Sequence, residues 1–532
     1  MTSALPQATT RGHASLWRRD VAAEFSDYLR DESRRAGSAG AIAFPHDEDE
    51  TAACLMEAAV GCGVTVQGAR TGITGGAVPD GGLILNLSRM QGILDVQLGA
   101  SAGEYRLTVQ PGLPLKALRE ALARRLPDGV ARPGAGTAAA LRALQSGPPV
   151  WFPPDPTETS ASLGGMLACN ASGACSYAYG PTRRYVEALR VVLADGRRLA
   201  LRRGIERAVG RSFALLTGDG QLCAGQLPDY RMPGVKNASG YFVADDMDLV
   251  DLLIGSEGTL GIITEIELRL LPHPAAMWGL QTFLPSEAAA LKFVERLRAG
   301  MTRPVAIEFF DQAALDMLRQ RKASTPAFKD IPEPPAAGAA VYLEFHGDNE
   351  DEVSARVADA AGVLVRSGGR EEEAWLASTP AELERLKSFR HAVPEAVNLT
   401  IDERRRATPG LTKLGTDMAV PDARIEEVVA LYRAGLAKSG LESVVFGHIG
   451  NNHLHVNILP RSMAEYETGK ALYLEWARNV IGWGGTVSAE HGIGKAKIAL
   501  LRAMYGDTAI TQMRAVKSVF DPAGRLNRGN LF

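Results

Sequence analysis

The chain of 532 residues lacks the features that mark secreted, membrane-spanning and iron–sulfur proteins. Its five cysteines include no C-x-x-C pair, which argues against a disulfide framework, a zinc ribbon and an iron–sulfur cluster. No apolar run approaches transmembrane length, and the first residues have no apolar signal-peptide core. The net charge of −3 gives no reason to expect nucleic acid as a partner. The composition therefore predicts a globular cytoplasmic protein.

The spacing of apolar residues predicts α+β structure in two domains. The P-H-P segment at 272–274 is the best boundary, and it separates a domain over 35–273 from a second over 274–532. Residues 1–34 are expected to form a lead-in and a helix, whereas the Gly/Pro-rich region 205–235 has no predicted structure. In the second domain the alternation of helices and strands favours a helix-covered, mainly antiparallel sheet.

The individual elements follow from apolar periodicity. Helices are expected near residues 21–34, 48–60, 115–125, 286–299, 312–321, 350–361 and 381–391. Strands are expected near residues 41–44, 64–67, 83–87, 92–97, 104–110, 188–193, 261–270, 305–310, 340–345, 443–446 and 456–459. The most glycine-rich and histidine-rich segments then fall on loops between these elements.

The first chemical motif is G-A-R-T-G-I-T-G-G-A at 68–77, directly after the apolar run 64–66. Four glycines so close together suit a loop whose backbone N–H groups line an anion site, and Arg70 and Thr71 can add donors. The spacing fits neither a Rossmann fingerprint nor a P-loop. A phosphate-bearing cofactor is one interpretation, and an ordinary tight turn, which also needs glycine, is the other.

Two further segments favour the cofactor interpretation. Residues 153–173 combine short polar side chains with paired glycines, and residues 254–263 place three glycines at the start of a strand. Such bare backbone can lie against a flat ring system or a pyrophosphate. The candidate contacts in these segments are Asp155, Thr159, Ser162, Gly164, Gly165, Asn170, Gly173, Gly258 and Ile263.

The last third of the chain concentrates histidines. G-H-I-G-N-N-H-L-H at 447–455 holds His448, His453 and His455, and Glu490-His491 follows between glycines. Imidazole nitrogens with one carboxylate form a divalent-metal set that leaves room for a substrate. A polar turn without metal is the alternative.

These motifs resemble, in order over 35–273, the vanillyl-alcohol-oxidase / p-cresol-methylhydroxylase family of flavoproteins. The resemblance implies an α+β fold, with a two-subdomain FAD-binding domain and an α+β cap domain that contains an antiparallel sheet. It assigns the pyrophosphate of FAD to the first loop, and the other two segments to the adenine, ribitol and isoalloxazine portions. No residue suggests a covalent link, so non-covalent FAD is expected. The residues of the first loop are Gly68, Ala69, Arg70, Thr71, Gly72, Gly75 and Gly76.

The segment 236–241 also resembles a family segment near the flavin, although an ordinary basic turn explains it equally well. The tail, F-D-P-A-G-R-L-N-R-G-N-L-F at 520–532, resembles the segment with which family members close against the flavin domain. By this similarity Asn527 is a further FAD contact.

The histidine segments resemble the D-2-hydroxy-acid dehydrogenase branch of the family, whose pattern is G-H-x-G-D-G-N-L-H. The resemblance makes His448, His455 and Glu490 metal ligands, with zinc the expected ion, and His491 the catalytic base. Three residues depart from the pattern, namely Asn451, Asn452 and His453, and His453 is a candidate additional ligand.

The branch also carries cations that bind the substrate carboxylate, because a planar arginine fork suits that group. Arg390 lies where the branch has such an arginine, and Lys413 is a second candidate. For both residues a solvated surface cation is the alternative.

The resulting hypothesis is FAD-dependent oxidation of a D-2-hydroxy acid, such as D-lactate or D-2-hydroxyglutarate, to the 2-oxo acid. Electrons would leave to a quinone, a cytochrome, an electron-transfer flavoprotein or oxygen. Peripheral membrane association and a homodimer remain open. The alternatives are a metal-free aryl-alcohol or phenol oxidase of the same family, and a flavin-binding protein without turnover.

Overall fold

The computed structural model describes residues 17–18, 21–59, 61–101 and 103–532, so most of the predicted lead-in lies outside the described residues. The first sheet has the strand order β1-β2-β4-β3, in which β2, β4 and β3 run parallel. Its strands are β1 (Trp17–Arg18), β2 (Ala41–Ala43), β3 (Val64–Gln67) and β4 (Leu83–Asn86). The first glycine-rich loop leaves this sheet at the end of β3.

A second sheet is antiparallel and has the order β5-β6-β12-β8-β9, with β7 pairing to β12. Its strands are β5 (Ile93–Leu98), β6 (Tyr105–Val109), β7 (Val150–Trp151), β8 (Val186–Val192), β9 (Arg198–Arg202) and β12 (Ile262–Pro272). The third glycine-rich segment therefore leads directly into its central strand, β12.

The second half of the chain is built on an antiparallel sheet of eight strands. Its order is β16-β13-β15-β14-β19-β20-β17, and β18 also pairs with β20. The strands are β13 (Ala276–Leu284), β14 (Ala306–Asp311), β15 (Ala339–Gly347), β16 (Trp375–Ala377), β17 (Leu414–Gly415), β18 (Met418–Ala419), β19 (Ser443–His448) and β20 (His453–Ile458). The predicted antiparallel sheet is thus confirmed.

Helices cover the sheets. Those in the first half are α1 (Val21–Glu24), α2 (Glu48–Glu57), α3 (Leu115–Ala123), α4 (Thr137–Ser146), α5 (Leu163–Ala168), α6 (Ser176–Tyr179) and α7 (Val250–Leu253). Those in the second half are α8 (Glu287–Ala299), α9 (Gln312–Ser324), α10 (Glu350–Arg366), α11 (Pro380–Arg405), α12 (Ile425–Ser439), α13 (Met463–Gly482) and α14 (Ile498–Phe520). No helix in the described ranges is long and apolar enough to cross a membrane.

Three expectations differ from the structure. The helix expected over 21–34 is broken into α1 and a 3-10 turn, Ser26–Leu29. Region 205–235, with no predicted structure, contains a hairpin of β10 (Ser212–Leu216) and β11 (Leu222–Gln226). The hairpin packs on α14, where the ring of Phe213 stacks on that of Phe520, and this packing stabilises it. Helix α11 runs far past its expected end and through Pro394.

The length of α11 has a local and a tertiary cause. A capping box at Thr379 and Glu382 starts the helix. Its apolar residues, including Phe389 and Val397, are buried on both sides of Pro394, and this burial outweighs the hydrogen bond that proline removes. The extra turns place Asn398 beside the central cavity, which Arg390, within the expected part of the helix, also lines.

The end of the chain returns to the first sheet. The backbone N–H of Val64 donates to the Arg525 carbonyl at 2.8 Å, and the Asn527 N–H donates to the Val64 carbonyl at the same distance. Asn527 also uses its side chain, which accepts from Val66 N at 2.7 Å and donates to the Glu257 carbonyl at 2.7 Å. The tail therefore fastens the first glycine-rich loop to the third.

Candidate active site

A β-hairpin carries the histidines, because β19 and β20 are joined by one 3-10 turn, Ile449–Asn451. His448 and His453 are directly paired across the hairpin. Asn452 closes the turn with a φ of 51°, in the left-handed region that asparagine tolerates. Its side-chain oxygen accepts from Arg298 at 2.6 Å. Asparagine can therefore replace the glycine of the branch pattern at residue 452, because it tolerates this φ and gains a hydrogen bond from Arg298.

His448, His455 and Glu490 converge at the end of this hairpin. The Nε2 atoms of His448 and His455 lie 3.2 and 3.3 Å from the two Glu490 oxygens. The other nitrogen of each ring is held away from the group: His448 Nδ1 donates to Glu308 at 2.7 Å, and His455 Nδ1 donates to the Thr416 carbonyl at 2.9 Å. Both Nε2 atoms thereby face the Glu490 carboxylate.

Strong ion pairing controls the charge of Glu490. Lys236 Nζ lies 2.6 Å from Glu490 Oε2, and both side chains are buried. Burial alone would raise the pKa of Glu490, but Lys236 and His448 outweigh it and hold the pKa well below its usual range. For His448, burial is outweighed by Glu308, which raises the pKa to about 9. The segment at 236–241 is thus part of the site and not an ordinary surface turn.

Replacing Lys236 with methionine tests this pairing through stability. We expect the metal-free variant to lose about 3–5 kcal/mol, because a buried carboxylate is left unpaired. A divalent ion bound at Glu490 should restore much of the loss, since it supplies the missing positive charge. Thermal unfolding with and without chelator measures both effects. Lys116→Met is the control, because Lys116 and Glu120 form an exposed pair. An equal loss with and without metal would contradict the expectation.

His491 lies beside the group formed by His448, His455 and Glu490, and it is oriented by Asp417. Its Nδ1 is 3.4 Å from Asp417 Oδ2, and its Nε2 is 3.4 Å from Glu490 Oε1. Asp417 is completely buried and also accepts from Lys497 and Ser488, each at 2.6 Å. Burial alone would lower the pKa of His491, but Asp417 and Glu490 raise it above its ordinary value. A histidine held by a buried carboxylate has the arrangement of a general base.

The two predicted substrate cations differ in their surroundings. Arg390 is buried, with Nη1 3.6 Å from Glu308 and Nη2 2.9 Å from His391 Nε2, while its buried Nε has no partner among the described residues. Lys413 Nζ donates to Asn398 at 2.9 Å, and burial lowers the pKa of Lys413 to about 8. Arg390 is therefore not a solvated surface cation, whereas Lys413 is half-buried and its role stays a prediction.

One cavity of about 1080 Å³ collects most of the predicted site. Its ionisable lining includes His448, His455, Glu490, His491, Arg390 and Lys413. The predicted cofactor residues that line it are Gly68, Ala69, Arg70, Thr71, Gly72, Gly76, Ser162, Gly164, Gly165, Gly258, Ile263 and Asn527. The first glycine-rich loop, more than 350 residues before the histidines, therefore faces the same space as they do.

Five predicted cofactor residues do not line this cavity. Asp155 is within 3.2 Å of the Cys175 N–H, and a Cβ at Gly173 would lie 1.9 Å from the Asp155 carbonyl oxygen. Asn170 accepts from the Arg183 N–H at 3.0 Å. The Thr159 carbonyl accepts from Lys116 N at 2.9 Å, and Gly75 provides a positive φ of 79° within its loop. These contacts shape the loops, and FAD contact by the five residues stays a prediction.

Sequence reasoning missed Glu308, Asp417 and Lys497 as members of the site. Glu308 lies in β14, Asp417 precedes β18 and Lys497 precedes α14. Their partners lie far away in the sequence, so no local pattern assigns these three charges to the site. The one available signal was that a charged residue within the apolar strand β14 must find a partner.

Comparison with known proteins gives the class. Residues 276–531 match the family described as "FAD linked oxidases, C-terminal domain", and residues 39–140 and 128–202 match "FAD binding domain". Solved structures of alkyldihydroxyacetonephosphate synthase have the same fold, with a TM-score of 0.60 at 14% identity over 96% of this chain and 83% of that one. The molecule is therefore an FAD-dependent oxidoreductase, and the predicted α+β fold with two FAD-oxidase domains is confirmed.

Similar sequences define the branch. A D-2-hydroxyglutarate dehydrogenase of Xanthomonas citri is 30% identical over 96% of this chain and 93% of its own length. A probable mitochondrial D-lactate dehydrogenase of Danio rerio is 30% identical over 87% and 78%, and a D-lactate dehydrogenase of Archaeoglobus fulgidus is 27% identical over 93% and 92%. The chain belongs to the FAD-linked oxidase family, in the branch that oxidises D-2-hydroxy acids.

Proposed function

We propose that the protein oxidises a D-2-hydroxy acid, such as D-lactate or D-2-hydroxyglutarate, to the 2-oxo acid by metal-assisted proton abstraction and hydride transfer to non-covalent FAD. The observation that carries the proposal is the convergence of His448, His455, Glu490 and His491 on the cavity lined by the glycine-rich loops. The relatives named above support the substrate class. The electron acceptor and a cytoplasmic location stay predictions.

The residues present fit FAD. A Cβ added at Gly72 would meet no atom within 4 Å, so bare backbone faces open space there. Gly68 lies so close to Ser162 that a Cβ would be 2.1 Å from its Oγ, which makes glycine necessary where the loop meets α5. Cys169 also lines the cavity, but burial raises the pKa of its thiol to about 12. A neutral thiol is a poor nucleophile, which favours non-covalent FAD.

The residues also fit a divalent ion at His448, His455 and Glu490. Two imidazoles and a carboxylate are a donor set for zinc, manganese or iron, and their ligand atoms all lie within 4.8 Å of one another. Each imidazole donates its other ring N–H to an oxygen acceptor, Glu308 or the Thr416 carbonyl, and such hydrogen bonds orient metal ligands in general. Zinc is the ion proposed.

The chemistry divides between the bound groups and the chain. When bound, FAD accepts the substrate's Cα hydride, and the divalent ion acts as a Lewis acid that makes the hydroxyl more acidic. His491 takes the hydroxyl proton at Nε2, because Asp417 holds Nδ1. Arg390 and Lys413 bind the carboxylate and fix the direction of the Cα hydrogen.

The charges of the site match such a reaction. Among the described side chains around Glu490, three carboxylates lie beside three cations: Glu490 beside Lys236, Asp417 beside Lys497 and Glu308 beside Arg390. These six charges balance one another, so a divalent ion at the site would add an excess of two positive charges, to which Lys413 adds its own when protonated. The substrate carboxylate and the charge that develops on the hydroxyl oxygen supply two negative charges, which explains why the site would favour the transition state.

The visible flavin spectrum tests the proposal. Without oxygen, we expect D-lactate or D-2-hydroxyglutarate to bleach the flavin band, and the L-enantiomers not to. Chelator should abolish the bleaching, and added zinc should restore it. Bleaching that survives complete removal of metal would contradict the metal-assisted step. A yellow protein that no 2-hydroxy acid bleaches would contradict the substrate class.

The low pKa of Lys413 predicts a pH dependence of substrate binding. Because burial lowers this pKa to about 8, the lysine loses its positive charge as the pH rises through that value. KM for the hydroxy acid should therefore rise above about pH 8, and Lys413→Arg should keep KM low to higher pH. Initial rates across about pH 7 to 9 measure the effect. Identical profiles for the two proteins would remove Lys413 from the carboxylate site.

A further inference from the structure

The third histidine of the hairpin, His453, has no role in the reaction described so far. It is completely buried, with no exposed surface, on the strand that also carries His455. Its ring centroid lies 4.4 Å from that of His455 and 5.4 Å from that of His448. The branch pattern has asparagine here, so the residue is a departure of this chain and its function has to be explained from its surroundings.

Neither ring nitrogen of His453 has a well-directed hydrogen bond within the described part of the chain. Nε2 lies 3.0 Å from Asp417 Oδ1, but the direction of the N–H misses that oxygen. Nδ1 faces the metal group, 4.0 Å from Glu490 Oε2. Asp417 is therefore the neighbour of Nε2, whereas the buried Nδ1 has no partner at hydrogen-bond distance within the described part of the chain. An unpaired buried nitrogen costs free energy, so Nδ1 can accept a ligand that the protein atoms do not supply.

The surroundings of His453 repeat those of the two proposed ligands. His448 and His455 each turn one nitrogen to an oxygen acceptor and the other to Glu490. His453 does the same, with the Asp417 carboxylate behind it and Glu490 in front. Three imidazoles are thus arranged around one carboxylate, each backed by an acceptor of the kind that orients metal ligands.

We propose that His453 binds the divalent ion through Nδ1 and completes a four-residue site with His448, His455 and Glu490. The four ligand atoms all lie within 4.8 Å of one another, so a small rotation of each side chain brings them to a common ion. The inference rests on the proposed function, since it adds a ligand to the metal site named there. Asp417 is then shared by a metal ligand and the catalytic base, because it also contacts His491.

A fourth protein ligand changes the number of coordination positions that the ion must offer. Four protein donors fill a tetrahedral shell, which is the arrangement of structural zinc sites. Because the substrate must still reach the ion, the site requires five or six coordination positions. Zinc meets this requirement only by expanding to a fifth ligand, as zinc sites do during catalysis, and it should be held more tightly than by the three-residue set.

Metal binding by purified protein with FAD bound tests the inference. X-ray absorption of the zinc-loaded wild-type protein should show three imidazoles at the ion. His453→Asn, which carries the residue of the branch pattern, should show two imidazoles and bind zinc at least about tenfold more weakly in competition with a chelator. Asn452→Gly is the matched control, because it restores another residue of the pattern in the same turn and removes no donor; its zinc affinity should equal that of wild type.

The outcomes separate this inference from the proposed function. A wild-type protein that binds zinc with only two imidazoles overturns the role of His453 and leaves the three-residue site intact. Equal zinc affinity in wild type and His453→Asn also overturns the role of His453 and leaves the three-residue site intact. A wild-type protein that binds no divalent ion overturns both proposals. If His453→Asn fails to fold or loses FAD, the imidazole count in the wild-type protein still decides the question.

Discussion

Replacing His491 with asparagine is expected to lower kcat by about 10²–10⁴-fold, the range that a positioned general base contributes. Asp417 and Glu490 each lie 3.4 Å from the His491 ring and hold it in place. The substitution removes this ring, which is the proposed acceptor of the hydroxyl proton. FAD content and zinc content should stay at wild-type levels, because His491 is not one of the proposed ligands. Single-turnover bleaching of the flavin measures the chemical step directly.

His273→Asn is the matched control for this change. His273 is exposed, and its ring lies 2.8 Å from the Pro274 carbonyl and beside the Trp151 ring. Its backbone N–H donates to the Pro149 carbonyl at 2.9 Å, a bond that asparagine keeps. It lies outside the cavity lining, so kcat should not change. If His491→Asn reduces the flavin at the wild-type rate, another group takes the proton and the role assigned to His491 is wrong.

Arg390→Ala is expected to raise KM for the hydroxy acid by at least about 30-fold, equivalent to about 2 kcal/mol, the lower end for removing one partner of a buried charge pair. Arg390 is buried and its Nε has no partner among the described residues, so it has donor capacity for a substrate carboxylate. Arg390→Lys should recover part of the loss, because it keeps the charge but not the planar fork.

The loss of Arg390 also leaves Glu308 with fewer positive neighbours, which could disturb His448 indirectly. Zinc content therefore has to be measured beside KM. A raised KM with unchanged zinc content supports a direct contact with the substrate, whereas parallel loss of zinc indicates an effect through Glu308 and His448. Arg385→Ala, at an exposed position of the same helix, is the control and should change neither quantity. An unchanged KM in Arg390→Ala would remove this residue from the site.

Local sequence patterns predicted the parts of the site that lie close together along the chain. The loop at 68–77 needs glycine because its backbone approaches Ser162 and the cavity. The resemblance to the branch pattern grouped the histidines at 448 and 455, and both lie on one short hairpin. Helix and strand periodicity likewise placed most elements of both halves, although it ended α11 too early and missed the hairpin of β10 and β11.

The sequence by itself determined the class of enzyme, since that depends on motifs that occupy single loops and turns. Only the tertiary structure decided the electrostatics of the site, because the partners are far apart in the chain: Glu308 and His448 are separated by 140 residues, and Lys236 and Glu490 by 254. It also decided the orientation of His453 between Asp417 and Glu490. Charge pairs and ring orientations are set by which elements the folded core brings together, and no local periodicity records that choice.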